Sequence, residues 1–228
     1  MTLILGVLGG MGPAATIDFL TKLQALTPAQ REQDHIRTIV DINPRVPDFN
    51  DPLVKPGPVL AEMAGALQGA GAEVLAIACN TAHTYADLIS RSSGLPLIDM
   101  ITTASVAARD TGARRAGVLG SRPALKLYRE YLAAQGMGMV TLEPDRQAVF
   151  LGLVDKIKRG DKSREVRAEM AALTADLAAG GAEAVIAGCT EVPLVFEAGA
   201  TRLPFIDSSE TLARRCVAVC LGLAPLPV

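Results

Sequence analysis

The chain has 228 residues, of which 50% are hydrophobic and 20% charged, so it can form a packed core and does not resemble a disordered protein. Its formal net charge of −2 and its 4% of aromatic residues argue against a nucleic-acid partner, which needs a basic surface or stacking rings. The first ten residues lack the cationic region of a secretory signal, and no apolar run reaches the roughly 20 residues that cross a bilayer. We therefore expect a soluble cytoplasmic protein with no membrane partner and room for two lobes of about 100 residues each.

The first half of the chain alternates strands with helices. Residues 3–10, LILGVLGG, form a continuous apolar run, which predicts a strand buried on both faces. Pro13 suits the first position of the helix that follows this strand. Further strands are predicted at 36–44, 72–78 and 95–99, and helices at 13–26, 58–69 and 102–112.

The second half repeats this alternation. Strands are predicted at 115–120, 138–144, 182–188 and 203–207, and helices at 123–135, within 146–180 and from Ser208 onwards. Such alternation is typical of parallel sheets covered by helices. We predict the α/β class, with two flavodoxin-like lobes that each have a binding crevice at the carboxyl ends of their strands.

An approximate internal repeat relates the two halves. The segment GAEVLAIACNTAHT contains Cys79, and 110 residues later the segment GAEAVIAGCTE contains Cys189. GVLGG returns as GVLGS, and LPLID returns as LPFID, at nearly the same offset. A repeat of this length indicates a duplication, and we predict two pseudo-symmetric lobes, residues 1–99 with 208–228 and residues 100–207. Two such lobes would hold one thiol on each side of a cleft, where we expect the active site.

The four cysteines do not suggest disulfides or a metal site. In a cytosolic chain disulfides are rare, and the cysteines lack the close paired spacing of a zinc site. We therefore expect no bound metal. Cys216 and Cys220 lie four residues apart on a predicted helix and are interpreted as core residues.

Cys79 and Cys189 each end a predicted strand and precede polar residues that are common at helix N-termini: Asn80, Thr81 and Thr190. A helix N-terminus favours an anion, so it would lower the pKa of a nearby thiol and could also hold a substrate carboxylate. The alternative interpretation is that both cysteines are small apolar residues that fill space at the strand ends.

The glycine-rich segment GVLGGMGP does not match the dinucleotide pattern G-x-G-x-x-G, and no phosphate-binding P-loop occurs in the chain. We interpret the segment as a backbone cradle for a small carboxylate or ammonium group, with Met11 contacting the substrate. His83 and Glu191 follow the two cysteines by four and two residues. They either bridge neighbouring loops or tune the thiols and orient the substrate amine.

Three motifs, GVLGGMGPAAT, ACNTAH and GCTE, resemble the aspartate/glutamate racemase superfamily, and the first is most similar to its aspartate racemase branch. The resemblance covers nearly the whole chain and implies a cofactor-independent racemase of aspartate or a related amino acid, without pyridoxal phosphate. It implies that Cys79 and Cys189 are the catalytic acid and base. The residues implied to bind substrate are Asn80, Thr81, Thr190 and Glu191. Glutamate racemases carry a histidine where this chain has Glu191, which argues against a cell-wall glutamate racemase.

The segment NPRVPDFND departs from the pattern of aspartate racemases. Phe49 occupies the position of the arginine that holds the distal carboxylate in that branch, and Arg45 lies four residues earlier as a possible substitute. The lysine of the second lobe matches either Lys158 or Lys162. We therefore expect a small-molecule amino-acid or dicarboxylate substrate, bound by a homodimer.

The sequence is also compatible with alternative functions. Relatives of this fold decarboxylate with one thiol, isomerise maleate or racemise hydantoins, and two retained cysteines argue against the decarboxylase. A non-catalytic amino-acid-binding protein would also place two lobes around a carboxylate. Racemisation favours two thiols, because inverting an α-carbon needs a base on one face and an acid on the other.

Overall fold

The computed structural model describes residues 2–49, 51, 53–196 and 199–227. The chain forms two compact units: unit 1 contains Met1–Met100 and Ser209–Val228, and unit 2 contains Ile101–Ser208. The chain therefore passes from unit 1 to unit 2 after Met100 and returns after Ser208.

The elements of the chain mostly alternate between strands and helices. Those of the first half are β1 (Leu5–Gly9), α1 (Pro13–Leu26), β2 (Thr38–Ile42), α2 (Pro56–Gly69), β3 (Val74–Ile77), α3 (Ala86–Ser93), β4 (Leu97–Ile98) and α4 (Met100–Asp110). Those of the second half are β5 (Arg115–Val118), α5 (Arg122–Ala134), β6 (Gly138–Val140), α6 (Pro144–Lys158), α7 (Arg164–Ala179), β7 (Ala184–Ala187), β8 (Phe205–Asp207) and α8 (Ser208–Cys220). Short 3-10 helices occur at Glu32–Asp34, Thr81–Tyr85 and Val192–Leu194.

Each unit contains a parallel four-stranded sheet, in the order β2-β1-β3-β4 in unit 1 and β6-β5-β7-β8 in unit 2. The two orders are the same when counted from the first strand of each unit. Helices cover both faces of such sheets, which explains why the central strands are apolar on both faces. The prediction of two α/β lobes with parallel sheets is confirmed.

The core of unit 1 consists of two apolar clusters, one on each face of the sheet. Leu5 and Val7 of β1 belong to the cluster that includes residues of α1 and α8, whereas Leu8 belongs to the cluster that includes residues of α2 and α3. Side chains of a strand alternate between faces, so adjacent residues of one apolar run enter different clusters. Unit 2 has the same arrangement, since Val185 and Ile186 of β7 enter two separate clusters.

The duplication extends to individual hydrogen bonds. In unit 1 the backbone N–H of Ile4 donates to Glu73 Oε2 at 2.8 Å, and in unit 2 the backbone N–H of Arg114 donates to Glu183 Oε2 at 2.6 Å. Both residues of the second pair lie 110 positions after those of the first. The two units therefore share the contact that joins the start of the first strand to the start of the third.

Candidate functional site

Both candidate thiols lie just beyond the carboxyl end of a central strand. Cys79 follows β3 and Cys189 follows β7, each two residues after the strand ends. In parallel α/β sheets this edge carries the binding sites. Each unit thus presents one thiol at the edge where chemistry is expected.

Cys79 is buried within the apolar cluster that β1, β3 and α2 form. Met11 and Phe49 are partly buried against the same cluster, and the ring of Phe49 lies 6.2 Å from that of Tyr85 between centroids. Two of the positions singled out from the sequence, Met11 and Phe49, therefore pack around the cluster that contains this thiol. Phe49 contributes an apolar surface where the aspartate racemase pattern has an arginine.

Arg45 is exposed and lies in the turn after β2. Its backbone N–H donates to Asn43 Oδ1 at 3.0 Å, which fixes the backbone of the turn but not the guanidinium group. Asn43 also contacts the glycine-rich loop, because its backbone N–H donates to Gly9 O at 3.2 Å. The backbone of Arg45 thus lies in a turn that is held next to the end of β1.

The glycine-rich loop after β1 is bound to the start of α1 by Thr16. The Thr16 hydroxyl accepts the N–H of Gly10 at 2.9 Å and donates to Gly12 O at 3.1 Å. Gly10 has a φ of +96°, and a Cβ at this position would lie 2.5 Å from backbone atoms of Asn43. The predicted cradle is therefore tightly constrained, and the Gly10 amide is already used within the protein.

The residues after Cys79 form a 3-10 helix, Thr81–Tyr85, that leads into α3. Asn80 occupies its N-cap position, but among the described residues its side chain makes no capping hydrogen bond. The predicted helix N-terminus after the thiol is therefore present with Asn80 at the N-cap position, but the helix is of the 3-10 type and the prediction that the Asn80 side chain caps it is wrong. A 3-10 turn is tighter than an α-helix, and Asn80 itself has a helical ψ of −47°, unlike the extended backbone of a typical N-cap.

The prediction that Thr190 caps a helix is wrong. A three-residue 3-10 helix, Val192–Leu194, follows Cys189, and Glu191 rather than Thr190 is its N-cap residue. Three residues provide little of the aligned dipole that would stabilise an anion. Instead, the hydroxyl of Thr190 donates to Glu191 Oε2 at 3.5 Å.

Cys189 lies beside a carboxylate. Its Sγ donates to Glu191 Oε2 at 3.0 Å, and Glu191 is only 3% exposed. Burial of the thiol and the adjacent negative charge of Glu191 raise the pKa of Cys189 well above its usual value, and the charge of Lys158 opposes this shift only weakly. The expectation of a readily ionised thiol is therefore wrong for Cys189, which is protonated at neutral pH.

The electrostatic effect on Cys189 also distinguishes the two candidate lysines. Lys158, at the C-terminal end of α6, acts electrostatically on the thiol. Lys162 lies in the turn before α7, where its carbonyl accepts a hydrogen bond from Arg167 Nε at 3.1 Å. The sequence could not separate them, because both lie near the expected position and the choice depends on where α6 ends.

His83 is buried in unit 1 and contacts the backbone through both ring nitrogens. Nδ1 lies 2.8 Å from Cys79 O, and the backbone N–H of Met100 donates to Nε2 at 3.0 Å. Of the two alternatives considered from the sequence, the one in which His83 bridges neighbouring segments agrees with these contacts. In the part of the chain that the structure describes, no group of three or more His, Cys, Asp or Glu side chains is arranged to hold a metal ion.

The described residues also include no helix long and apolar enough to span a membrane.

Comparison with known proteins points in one direction. The family model described as Asp/Glu/Hydantoin racemase matches residues 8–216. The broad specificity amino-acid racemase RacX of Bacillus subtilis (strain 168) is 27% identical over 230 residues, covering 96% of this chain and 99% of that protein. The structure of the aspartate racemase of Picrophilus torridus has a TM-score of 0.85 at 23% identity, covering 96% of this chain and 94% of that one. A glutamate racemase of Synechococcus sp. (strain CC9605) is 30% identical over 176 residues, which cover 74% of this chain and 64% of that protein.

Proposed function

Because the chain belongs to the Asp/Glu/hydantoin racemase family, we propose that it is a cofactor-independent racemase of aspartate or a related amino acid. The observation that carries this proposal is the duplication of the thiol. Each of two units with the same sheet order has one cysteine just beyond its third strand, at the carboxyl edge. Two thiols in equivalent places are what a two-base inversion of one α-carbon requires.

In the proposed reaction Cys79 and Cys189 act on opposite faces of the α-carbon. The Cys79 thiolate removes the α-proton and becomes a thiol, while the electron pair of the broken C–H bond remains on the substrate as a carbanion. The Cys189 thiol then donates its proton to the other face and becomes a thiolate. The raised pKa of Cys189 supports its role as the resting proton donor.

The opposite direction starts from the state that the first direction leaves, with Cys189 as the thiolate and Cys79 as the thiol. The enzyme returns to its resting state when Cys189 gains a proton and Cys79 loses one. Glu191 Oε2, which accepts the hydrogen bond from Sγ, is the group placed to exchange a proton with Cys189. We propose this role for Glu191 in place of the helix N-terminus expected from the sequence.

The substrate contacts follow the resemblance of the motifs. We propose that Asn80, Thr81 and Thr190 bind the α-carboxylate, whose developing negative charge needs preorganised donors. For a distal carboxylate, Lys158 offers a positive charge near Cys189, and Arg45 offers a second one on the turn after β2. Phe49 and Met11 add an apolar surface near Cys79, which supports related amino acids as substrates besides aspartate.

The test is proton exchange in deuterated water, followed by proton NMR for L- and D-amino acids with the wild type, Cys79→Ala and Cys189→Ala. We expect the wild type to exchange and invert its substrate, and each single variant to lose inversion in both directions. Each variant should still exchange the α-proton of one enantiomer with retention, and the two variants should act on opposite enantiomers. If one variant keeps wild-type racemisation, or both exchange the same enantiomer, the two-thiol proposal is wrong.

The same assay separates the proposed function from its alternatives. Binding of an amino acid without exchange would identify a binding protein, and turnover of maleate or a hydantoin in place of amino acids would identify another member of the family.

The homodimer stays a prediction, and light scattering of the purified chain would test it.

A further inference from the structure

His83 adopts one defined tautomer. The backbone N–H of Met100 can only donate, so Nε2 of His83 must accept this hydrogen bond with its lone pair. In the neutral ring the proton then lies on Nδ1, which donates to the carbonyl oxygen of Cys79 at 2.8 Å. His83 is 4% exposed, so both bonds are shielded from water. The ring therefore joins the residue that carries the thiol to the first residue of α4.

Unit 2 holds the corresponding carbonyl in another way. The carbonyl of Cys189 accepts the backbone N–H of Val192 at 3.1 Å, and Pro193 occupies the position 110 residues after His83. In unit 1 the backbone N–H of His83 instead donates to Asn80 O at 3.1 Å. The imidazole of His83 thus binds the Cys79 carbonyl in unit 1, whereas a backbone N–H binds the corresponding Cys189 carbonyl in unit 2. The imidazole also accepts a hydrogen bond from the start of α4, which a proline side chain cannot do.

We propose that His83 is a positioning residue for Cys79, acting as a neutral bridge between the Cys79 carbonyl and the Met100 amide. The inference rests on the proposed function, in which Cys79 acts as a base. The carbonyl carbon and the thiol-bearing Cβ share one Cα, so fixing the carbonyl restricts where the sulfur can lie. Met100 is fully buried in the unit 1 core, which makes it a firm point of attachment. Proton transfer needs the reacting atoms held to within a fraction of an ångström, and misplacement is costly.

Three substitutions of His83 separate the two halves of the bridge. His83→Phe keeps an aromatic ring of similar shape and removes both hydrogen bonds. His83→Asn can place an N–H near the position of Nδ1 and so retain the bond to Cys79, whereas His83→Gln can place an oxygen near Nε2 and retain only the bond to Met100. The matched control is His35→Phe, which changes the other histidine of the chain, a partly exposed residue before β2.

The first readout is α-proton exchange by one thiol at a time. In the Cys189→Ala background, His83→Phe should slow exchange by Cys79 roughly 10- to 100-fold through a fall in kcat, with KM little changed. His83→Asn should recover most of this rate and His83→Gln should not. In the Cys79→Ala background, exchange by Cys189 should be unaffected by all three substitutions, and His35→Phe should change neither rate.

The second readout does not need enzymatic turnover. Mass spectrometry gives the rate at which iodoacetamide alkylates each cysteine in otherwise wild-type chains. His83→Phe should raise the rate at Cys79, because a less constrained strand end exposes its buried sulfur, and leave the rate at Cys189 unchanged. If the wild type exchanges no amino acid, the proposed function fails, and the alkylation rates still decide the role of His83.

Two results would overturn the inference. One is a His83→Phe chain whose Cys79 exchanges and alkylates at the wild-type rates. The other is an equal loss of exchange at Cys79 and Cys189 together with a lowered Tm, which would show that His83 stabilises the fold as a whole without positioning one thiol.

Discussion

At the scale of single residues, the two thiols occupy equivalent places but have different neighbours. The residue two positions after Cys79 is Thr81, whereas the residue two positions after Cys189 is Glu191. A carboxylate beside Cys189 favours the thiol form, and Cys79 has instead an apolar cluster around it. The duplication thus preserved the positions of the thiols while their surroundings diverged.

Replacing Glu191 by Gln should make Cys189 more reactive towards alkylating agents. The substitution removes the negative charge and the carboxylate acceptor, so the pKa of Cys189 should fall, although burial still keeps it raised. Each unit by which the pKa falls gives about tenfold more thiolate below the pKa, and the rate of alkylation by iodoacetamide at pH 8 should rise accordingly.

The alkylation of Cys79 in the same Glu191→Gln sample provides the control, because its surroundings are unchanged within unit 1. An unchanged rate at Cys189 would mean that burial alone determines its pKa. Racemisation should nevertheless fall in this variant, since the group proposed to exchange a proton with Cys189 is lost.

At the scale of elements, the glycine-rich loop after β1 depends on a backbone conformation that only glycine adopts easily. Replacing Gly10 by Ala should destabilise the fold, because its φ is +96° and the added Cβ would meet the Asn43 backbone at 2.5 Å. Strain of this kind costs about 1–3 kcal/mol, and the steric overlap adds to it. Urea unfolding followed by circular dichroism measures the free energy of unfolding.

The matched control for Gly10→Ala is Gly65→Ala. Gly65 lies inside α2, and nothing lies within 4 Å of an added Cβ. Alanine favours a helix interior over glycine by about 1 kcal/mol, so this substitution should stabilise the protein. Equal effects of the two substitutions would contradict the argument from the loop.

The pair Cys216 and Cys220 on α8 makes the stability depend on alkaline pH. Burial, together with nearby charge, raises the pKa of Cys216 well above 9.0 and that of Cys220 to about 11. The folded state therefore keeps protons that the unfolded chain releases near pH 9. The resulting stabilisation is fully present below pH 9 and is lost as the pH rises towards 11, by about 2 kcal/mol for a thiol shifted this far.

A double variant, Cys216→Ala with Cys220→Ala, tests this dependence. Lysine and tyrosine side chains titrate in the same range but contribute to both proteins, so the difference between the two pH profiles isolates the cysteines. Under reducing conditions, the free energy of unfolding should fall less between pH 9 and pH 11 in the double variant. Parallel profiles would show that the two thiols do not contribute.

The elements that were predicted correctly have strong local signals. The apolar run of β1 is long enough to indicate a strand, and the helix α1 begins at Pro13 and ends at Leu26, as its sequence predicts. A helix after Cys79 was predicted only by its start, because Ile89 is the only fully buried residue of α3 and most of its other side chains are polar, so no apolar pattern marks its extent. Gly94, with a φ of +67°, was a stop signal for this helix that the sequence contained.

The candidate site was predictable to the extent that the repeat located both thiols. The protonation state of Cys189 was not, because it depends on burial and on the turn that brings Glu191 back against the sulfur. The role of Lys158 depends in turn on the length of α6, which the sequence leaves uncertain by several residues. Contacts made by tight turns and helix ends are thus the part that local sequence patterns do not determine.

At the scale of the whole molecule, the two units differ in how the chain builds them. Unit 2 is one continuous stretch, whereas unit 1 combines the first 100 residues with the C-terminal segment. The helix α8 contributes Leu212, Ala213 and Cys216 to the cluster on one face of the unit 1 sheet, and the backbone N–H of Leu3 donates to Cys220 O at 2.9 Å. Unit 1 is therefore incomplete until α8 is present.

This connectivity determines the order of events during synthesis on the ribosome. Chains emerge from the N-terminus, and domains generally fold as units once complete. A nascent chain stalled so that residues up to Ser208 have emerged should contain a protease-resistant unit 2 and a protease-sensitive first 100 residues. Resistance of both segments in that stalled chain would contradict this order. The half of the protein that leaves the ribosome first must then wait for the last helix, with one apolar face of its sheet open to chaperones throughout the synthesis of the other half.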